Sequence, residues 1–236
     1  MENTLVIKKV FDECGLSEYT DDAAVEKLAL LSDMLAEANK VMNLTAITDP
    51  HDVALRHFAD SITAARFIPD GARVIDVGCG GGFPTLPLAI VRPDIEITAL
   101  DSTAKKLNFV RDAAEKLSLS VKILPSRAEE AALDPLFREK YDICISRAVA
   151  RLNILSELCL PFAKAGGSFI AMKGADAGSE LTEAENGIKK LGGSVERAEK
   201  FTLSEAGERC IIIVNKTGKT PEKYPRAYAK IRKAPL

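Results

Sequence analysis

The stretch Arg73 to Thr85 reads Arg-Val-Ile-Asp-Val-Gly-Cys-Gly-Gly-Gly-Phe-Pro-Thr and carries the spacing with the most chemical content in the chain. An apolar run ends abruptly in glycines, and a second, helix-compatible apolar run, Leu86 to Val91, follows at once. That order predicts a strand, a tight loop and a helix. A backbone free of Cβ atoms can turn sharply off a strand and lay its N–H groups against a nucleoside-type ligand. The next apolar run, Ile95 to Leu100, ends in Asp101. A carboxylate closing a second strand can accept both hydrogen bonds of a ribose diol. A Gly-x-Gly alone is equally a plain turn; strand, loop, helix, strand and terminal acid in one run favour a ligand. Phe83 stands where the third glycine of Gly-x-Gly-x-x-Gly would fall, which disfavours a dinucleotide.

These residues must be held by a scaffold, and the hydrophobic pattern supplies one from Ala72 onward. Strands are predicted near Arg73–Val77, Glu96–Asp101, Val121–Pro125, Tyr141–Ser146, Gly167–Lys173, Ser194–Thr202 and Cys210–Asn215. Helices are predicted between them at Thr85–Val91, Thr103–Leu117, Ala131–Phe137, Asn153–Phe162 and Ser179–Leu191. Alternating strands and helices make a parallel sheet covered on both faces, with ligands beyond the carboxyl ends of the strands. The last two strands leave no room for a helix, so Gly207 and its neighbours predict an antiparallel hairpin at one edge. The expected fold is therefore α/β and Rossmann-like. A mostly parallel seven-stranded sheet with a C-terminal antiparallel hairpin is the shape associated with class I S-adenosylmethionine-dependent methyltransferases.

Residues 1–70 read as an N-terminal helical extension. Val25, Leu28, Leu31, Leu35, Ala38 and Met42 recur at helical spacing, so Asp21 to Val41 is a predicted amphipathic helix whose role is packing, with Asp21 and Asp22 suited to its start. Shorter helices are predicted at Thr4–Cys14 and Val53–Ala65. The Rossmann-like part spans 71–216, and 217–236 is a basic tail that Pro221, Pro225 and Pro235 predict to be irregular.

At 236 residues, with 47% apolar and 28% charged residues, the composition is that of an ordinary globular chain. No apolar run reaches the about 18 residues of a membrane span, and Met-Glu-Asn-Thr lacks a signal-peptide pattern, so a cytoplasmic location is expected. Cys14, Cys79, Cys144, Cys159 and Cys210 are odd in number and scattered, with only His51 and His57 beside them. Neither disulfides nor a metal site is expected; Cys79, in the glycine loop, is expected to be partly exposed. From Lys216 onward, seven basic residues face one acid, Glu222, so the end carries +6 and the remainder −8 of the net −2. A basic end on an acidic body suits local contact with a polyanion, and equally a solvated tail.

Several ordered segments resemble one family, the bacterial 16S ribosomal RNA guanine-N7 methyltransferases, also called glucose-inhibited division protein B. They are Asn43-Leu44-Thr45-Ala46-Ile47, Arg56-His57-Phe58-Ala59-Asp60-Ser61, Asp76 to Pro84, Asp101-Ser102 with Lys105-Lys106, Arg127-Ala128-Glu129, Ser146-Arg147-Ala148-Val149-Ala150 and Ala171-Met172-Lys173-Gly174. The resemblance runs from about residue 20 to the end. It departs at Thr85, where the family often has glycine, and at Lys105-Lys106, where a Lys-Arg pair is usual, which loses a bidentate donor. It implies S-adenosylmethionine as cofactor, held by Gly78, Gly80, Phe83, Asp101, Ser102, Ala128, Glu129 and Arg147. Phe83 then becomes an apolar wall, and the backbone at Ala128 a partner for the adenine edge. It also implies substrate contacts at Asn43, Thr45, Arg56, His57 and Lys173, with 16S RNA or the small subunit as partner; separately, a monomer is expected.

Guanine N7 carries a lone pair and no proton, so its methylation needs alignment and charge stabilisation, not a general base. Arg147, past the fourth strand, is the expected positioning residue, toward either the guanine edge or the methionine carboxylate. His57 is equally a helix residue bonded to a neighbour, Asn43 and Thr45 a helix-end and turn pair, and Lys173 a solvated cation or a phosphate contact. Exocyclic-amine and cytosine-C5 chemistries are disfavoured, because Ser146-Arg147-Ala148-Val149 replaces the amine enzymes' Asn/Asp-Pro-Pro segment and Cys144 lies inside a strand. A small-molecule or protein methyltransferase and a non-catalytic assembly factor stand as alternatives.

Overall fold

The structure, a computed structural model, describes residues 2–236. Seven strands, β1 (Arg73–Val77), β2 (Glu96–Asp101), β3 (Val121–Pro125), β4 (Tyr141–Arg147), β5 (Ala163–Lys173), β6 (Gly193–Thr202) and β7 (Glu208–Lys216), form one sheet in the order β3-β2-β1-β4-β5-β7-β6. Only β7 runs antiparallel to its neighbours, so β6 and β7 are the expected edge hairpin. The order reverses between β1 and β4, which places the glycine loop after β1 at the switch point.

Alternation along the strands explains the layering. Val74, Ile97, Ile143, Ile170 and Ile211 face one core, while Ile75, Val77, Cys144, Phe169 and Ile212 face the other. Each side therefore presents a full apolar face and must be covered. The first is covered by α1 (Glu2–Glu13), α2 (Asp22–Met42) and α3 (residues 50–62), together with α4 (Thr85–Val91) and α5 (Ala104–Lys116). The second is covered by α6 (Ala128–Ala131), α7 (Leu152–Cys159), α8 (Ala177–Lys190) and α9 (Tyr228–Lys233). Asp21 caps α2 by accepting from the Ala24 N–H at 2.9 Å. Asn43 ends it in a left-handed conformation, φ +48°, which asparagine tolerates. Within α3, Val53–Ala59 is π-helical, a widening found often at functional positions.

Two expectations are corrected. The helix predicted over Ala131–Phe137 is instead the short α6, followed by turns. Leu133 and Leu136 remain exposed, so no buried stripe supports a longer helix there. The tail is not irregular throughout: between Pro225 and Pro235 it forms α9, whose Ile231 is fully buried against the second face.

Candidate functional site

A cavity of about 450 Å³ opens at the carboxyl ends of β1 to β4. Gly78, Gly80, Phe83, Asp101, Ser102, Ala128, Glu129 and Arg147 all line it, and Thr45 and His57 join them. The first eight come from segments at or just past a strand end, while Thr45 and His57 come from the helical extension, so the sheet and the extension together gather residues that the sequence scatters.

The loop is held from β2. The Leu100 carbonyl accepts from Gly78 N–H at 2.8 Å and Cys79 N–H at 3.1 Å. Asp101 accepts from Gly80 N–H at 3.0 Å on one oxygen and from Thr103 N–H at 2.8 Å on the other. Each oxygen keeps a further acceptor position, which a ribose diol can use. Gly78 has φ +77°, and a Cβ there would lie 2.5 Å from Val149 Cγ2. Gly82, φ +92°, would place a Cβ 2.5 Å from Leu86 Cδ1. At Gly80, by contrast, a Cβ would meet nothing within 4 Å, so the loop leaves space open on its cavity side. A cavity of this size, an acid with spare acceptor positions and a close-approach loop together fit an adenosyl cofactor. Cys79, expected to be partly exposed, is buried instead. Burial pushes its thiol well above the ordinary value, so it is not a reactive thiolate.

Behind the loop, Phe83 sits between two charged or chargeable groups. The His57 ring stacks on it with centroids 4.4 Å apart and planes 10° from parallel, and the Arg147 guanidinium carbon lies 5.7 Å from its centroid. His57 Nε2 is 2.8 Å from Thr45 Oγ1, and Asn39 fixes Thr45 through both of that residue's backbone polar groups at 2.9 Å. Burial, followed by the nearby Arg147 charge, pushes His57 down to about 4, with Asp60 opposing in part. The ring is therefore neutral at pH 7. Its Nδ1 and Asp76 Oδ1 are the two buried side-chain polar atoms without a partner among the described residues.

Arg147 is anchored, not solvated. Its Nη1 donates to the Arg56 carbonyl at 2.9 Å and to Asp60 Oδ2 at 2.7 Å, while Asp60 Oδ1 accepts from Arg209 Nε at 2.7 Å. One buried carboxylate thus aims two guanidiniums. A second cavity of about 360 Å³ is lined by Asp60, Arg147, Lys173, Phe201 and Arg209. Arg147 and Ala148 line both cavities, so the two adjoin at that point.

The remaining expected residues divide. Lys173 lines the second cavity, but its ammonium is held by Glu180 at 2.6 Å and the Ala150 carbonyl at 2.7 Å and its side chain is 8% exposed, which sets aside the solvated-cation reading. Arg56 pairs with Asp52 at 2.9 Å on the exposed side of α3, and Asn43 is an exposed helix end lining neither cavity. Sequence reasoning passed over Asp60, Arg209 and Tyr228. An acid inside the apolar turn His57-Phe58-Ala59-Asp60 signals a buried partner of opposite charge, and that signal was available.

The sequence model of the GidB family, described as rRNA small subunit methyltransferase G, matches residues 24–210. The Ribosomal RNA small subunit methyltransferase G of Halalkalibacterium halodurans is 50% identical over 206 residues, covering 86% of this chain and 87% of that protein. The protein of the same name from Acetivibrio thermocellus is 41% identical over 240 residues, covering 100% and 99%. Among solved structures, cofactor-bound Rv0187 from MTB superposes with a TM-score of 0.58 at 16% identity, covering 85% of this chain and 92% of that one. A SAM-dependent methyltransferase from Aquifex aeolicus gives 0.53 at 20% identity, covering 75% and 97%. At these identities the two structures speak for the fold.

Proposed function

This chain belongs to the GidB family, rRNA small subunit methyltransferase G, and from that membership we propose that it moves the methyl group of S-adenosylmethionine to N7 of one guanine in 16S RNA. The observation that carries the reading is the junction at Arg147, where a cavity fitted to an adenosyl cofactor adjoins a second one lined by Arg147, Lys173 and Arg209 with their partners Asp60 and Glu180. In this reading Gly78, Gly80 and Phe83 hold the cofactor's sulfur-bearing end, Asp101 and Ser102 its ribose, and Ala128 and Glu129 its adenine. When bound, that cofactor supplies an electrophilic methyl group on a sulfonium.

The protein's own task is then alignment. N7 offers its lone pair without prior deprotonation, so this reading asks no side chain at the junction to take a proton. Arg147 is fixed through one Nη by Asp60 and the Arg56 carbonyl, which leaves its other N–H groups for a ligand. Burial keeps His57 neutral, so the ring stacked on Phe83 adds no positive charge where the base becomes cationic. The guanine enters through the second cavity, with Arg209 and Phe201 available for phosphate and base contacts. We take the enzyme to act as a cytoplasmic monomer without a metal. Among the described residues no helix is long and apolar enough to cross a membrane.

The test is to supply S-adenosylmethionine carrying a labelled methyl, separately, to small subunits and naked 16S RNA from a strain lacking the protein, and to that strain's protein and small-molecule fractions. Label should enter RNA. Label confined to protein or small molecules would overturn the reading, as would cofactor binding with no transfer at all.

A further inference from the structure

The C-terminal segment crosses from β7 over α7 to the rim of the cofactor cavity, and its docking is specific. Arg138 donates to the carbonyls of Thr220 at 2.8 Å, Pro221 at 3.3 Å and Tyr224 at 2.9 Å. Arg226 closes on the fully buried Glu157 with its backbone N–H at 2.8 Å, Nε at 2.9 Å and Nη2 at 2.6 Å. Glu157 would be costly to bury unpaired, so this pair fixes where the chain arrives. Two residues later α9 begins, and Ile231 anchors it in the core.

Tyr228, the first residue of α9, lines the cavity beside Arg127, Ala128 and Glu129. The Arg127 guanidinium lies 5.2 Å from the Tyr228 ring centroid and pairs with Glu129 at 2.6 Å. The ring is therefore positioned by both its helix and its neighbour. We infer that Tyr228 is a cofactor-binding residue: its aromatic face forms the wall of the cavity at the adenine end, and the C-terminal strap exists in part to deliver it. This rests on the assignment of an adenosyl cofactor to the cavity. An aromatic wall suits an adenine, whose flat face gains from stacking whatever its edge contacts.

The experiment measures binding, not activity. Tyr228→Ala should weaken S-adenosylhomocysteine by about tenfold, and 5′-methylthioadenosine, which lacks the amino-acid end, by the same factor. Tyr228→Phe should stay within about threefold of wild type, because the ring face and not the hydroxyl makes the contact. The chain has no tryptophan, so Tyr228→Trp installs a single fluorophore at the site. Its emission should be quenched by saturating S-adenosylhomocysteine, and its accessibility to acrylamide should fall. Wild-type affinity in Tyr228→Ala, or unchanged Tyr228→Trp emission at saturation, would overturn the inference while leaving the cofactor assignment standing. Failure of the wild type to bind either adenosyl compound would instead remove the premise.

Discussion

Asp76 offers a quantitative test of the buried electrostatics under the glycine loop. It is fully buried in β1; Oδ2 accepts the Thr85 hydroxyl at 2.6 Å, and Oδ1 has no partner among the described residues. Burial pushes its carboxyl from the ordinary 3.8 up to about 7, against smaller opposing pulls from the Thr85 hydrogen bond and the Arg147 charge. Between those two values the folded protein holds a proton that the unfolded chain has released, so stability must fall as pH rises through the window. At roughly 1.4 kcal/mol per pH unit the loss is on the order of 4 kcal/mol. Asp76→Asn cannot titrate, yet its amide oxygen can still accept from Thr85. His57 titrates in both proteins and cancels from the comparison. Urea unfolding at constant ionic strength at pH 4, 5, 6 and 7 should therefore show the variant gaining on wild type by about 3 kcal/mol across the series, most of the full span. A stability difference that stays flat to within about 1 kcal/mol would mean that Asp76 is ionised throughout, and would refute the argument.

Three other perturbations test the site. Gly78→Ala forces a side chain onto φ +77° and to within 2.5 Å of Val149; calorimetry should show S-adenosylhomocysteine affinity falling at least about tenfold, and an unchanged Kd would contradict the close-approach role. Asp60→Asn takes the carboxylate from Arg147 and Arg209 together; kcat should fall about a hundredfold while cofactor Kd moves less than about threefold, and a normal kcat would show that the clamp does not position Arg147. Lys230, Arg232 and Lys233 are exposed on or beside the outer side of α9; replacing all three with Gln should lessen the slope of log affinity for RNA against log salt by about two. An unchanged slope would make them ordinary solvated cations. Deleting the whole tail is a poorer test, since it also removes the Arg226–Glu157 pair and takes Ile231 from the core.

What was legible in the sequence is what short-range pattern encodes. β1, β2 and β3 begin and end where alternation and the loop residues place them, and the glycine run with Asp101 marks the sheet edge at which the first cavity opens. Contacts between distant residues were not legible. Asp60 and Arg209 are separated by 149 positions, and nothing local in Arg209 announces that it shares a carboxylate with Arg147. The end of the chain from Lys216 misled because three prolines and seven cations suggested irregular coil. Two of those cations, Lys216 and Arg226, are instead spent on Glu139 and Glu157, and the prolines flank a helix without entering it. Its single apolar anchor, Ile231, is too brief a signal to read without the surface it packs on.

The most direct measurement locates the methyl. 16S RNA or small subunits from a strain lacking the protein would be treated with the protein and S-adenosylmethionine, then cleaved chemically at N7-methylguanine. Cleavage at one guanine is predicted, absent without cofactor and lost in Arg147→Ala. Absence of cleavage despite methyl transfer, or methyl on any other atom, would contradict it.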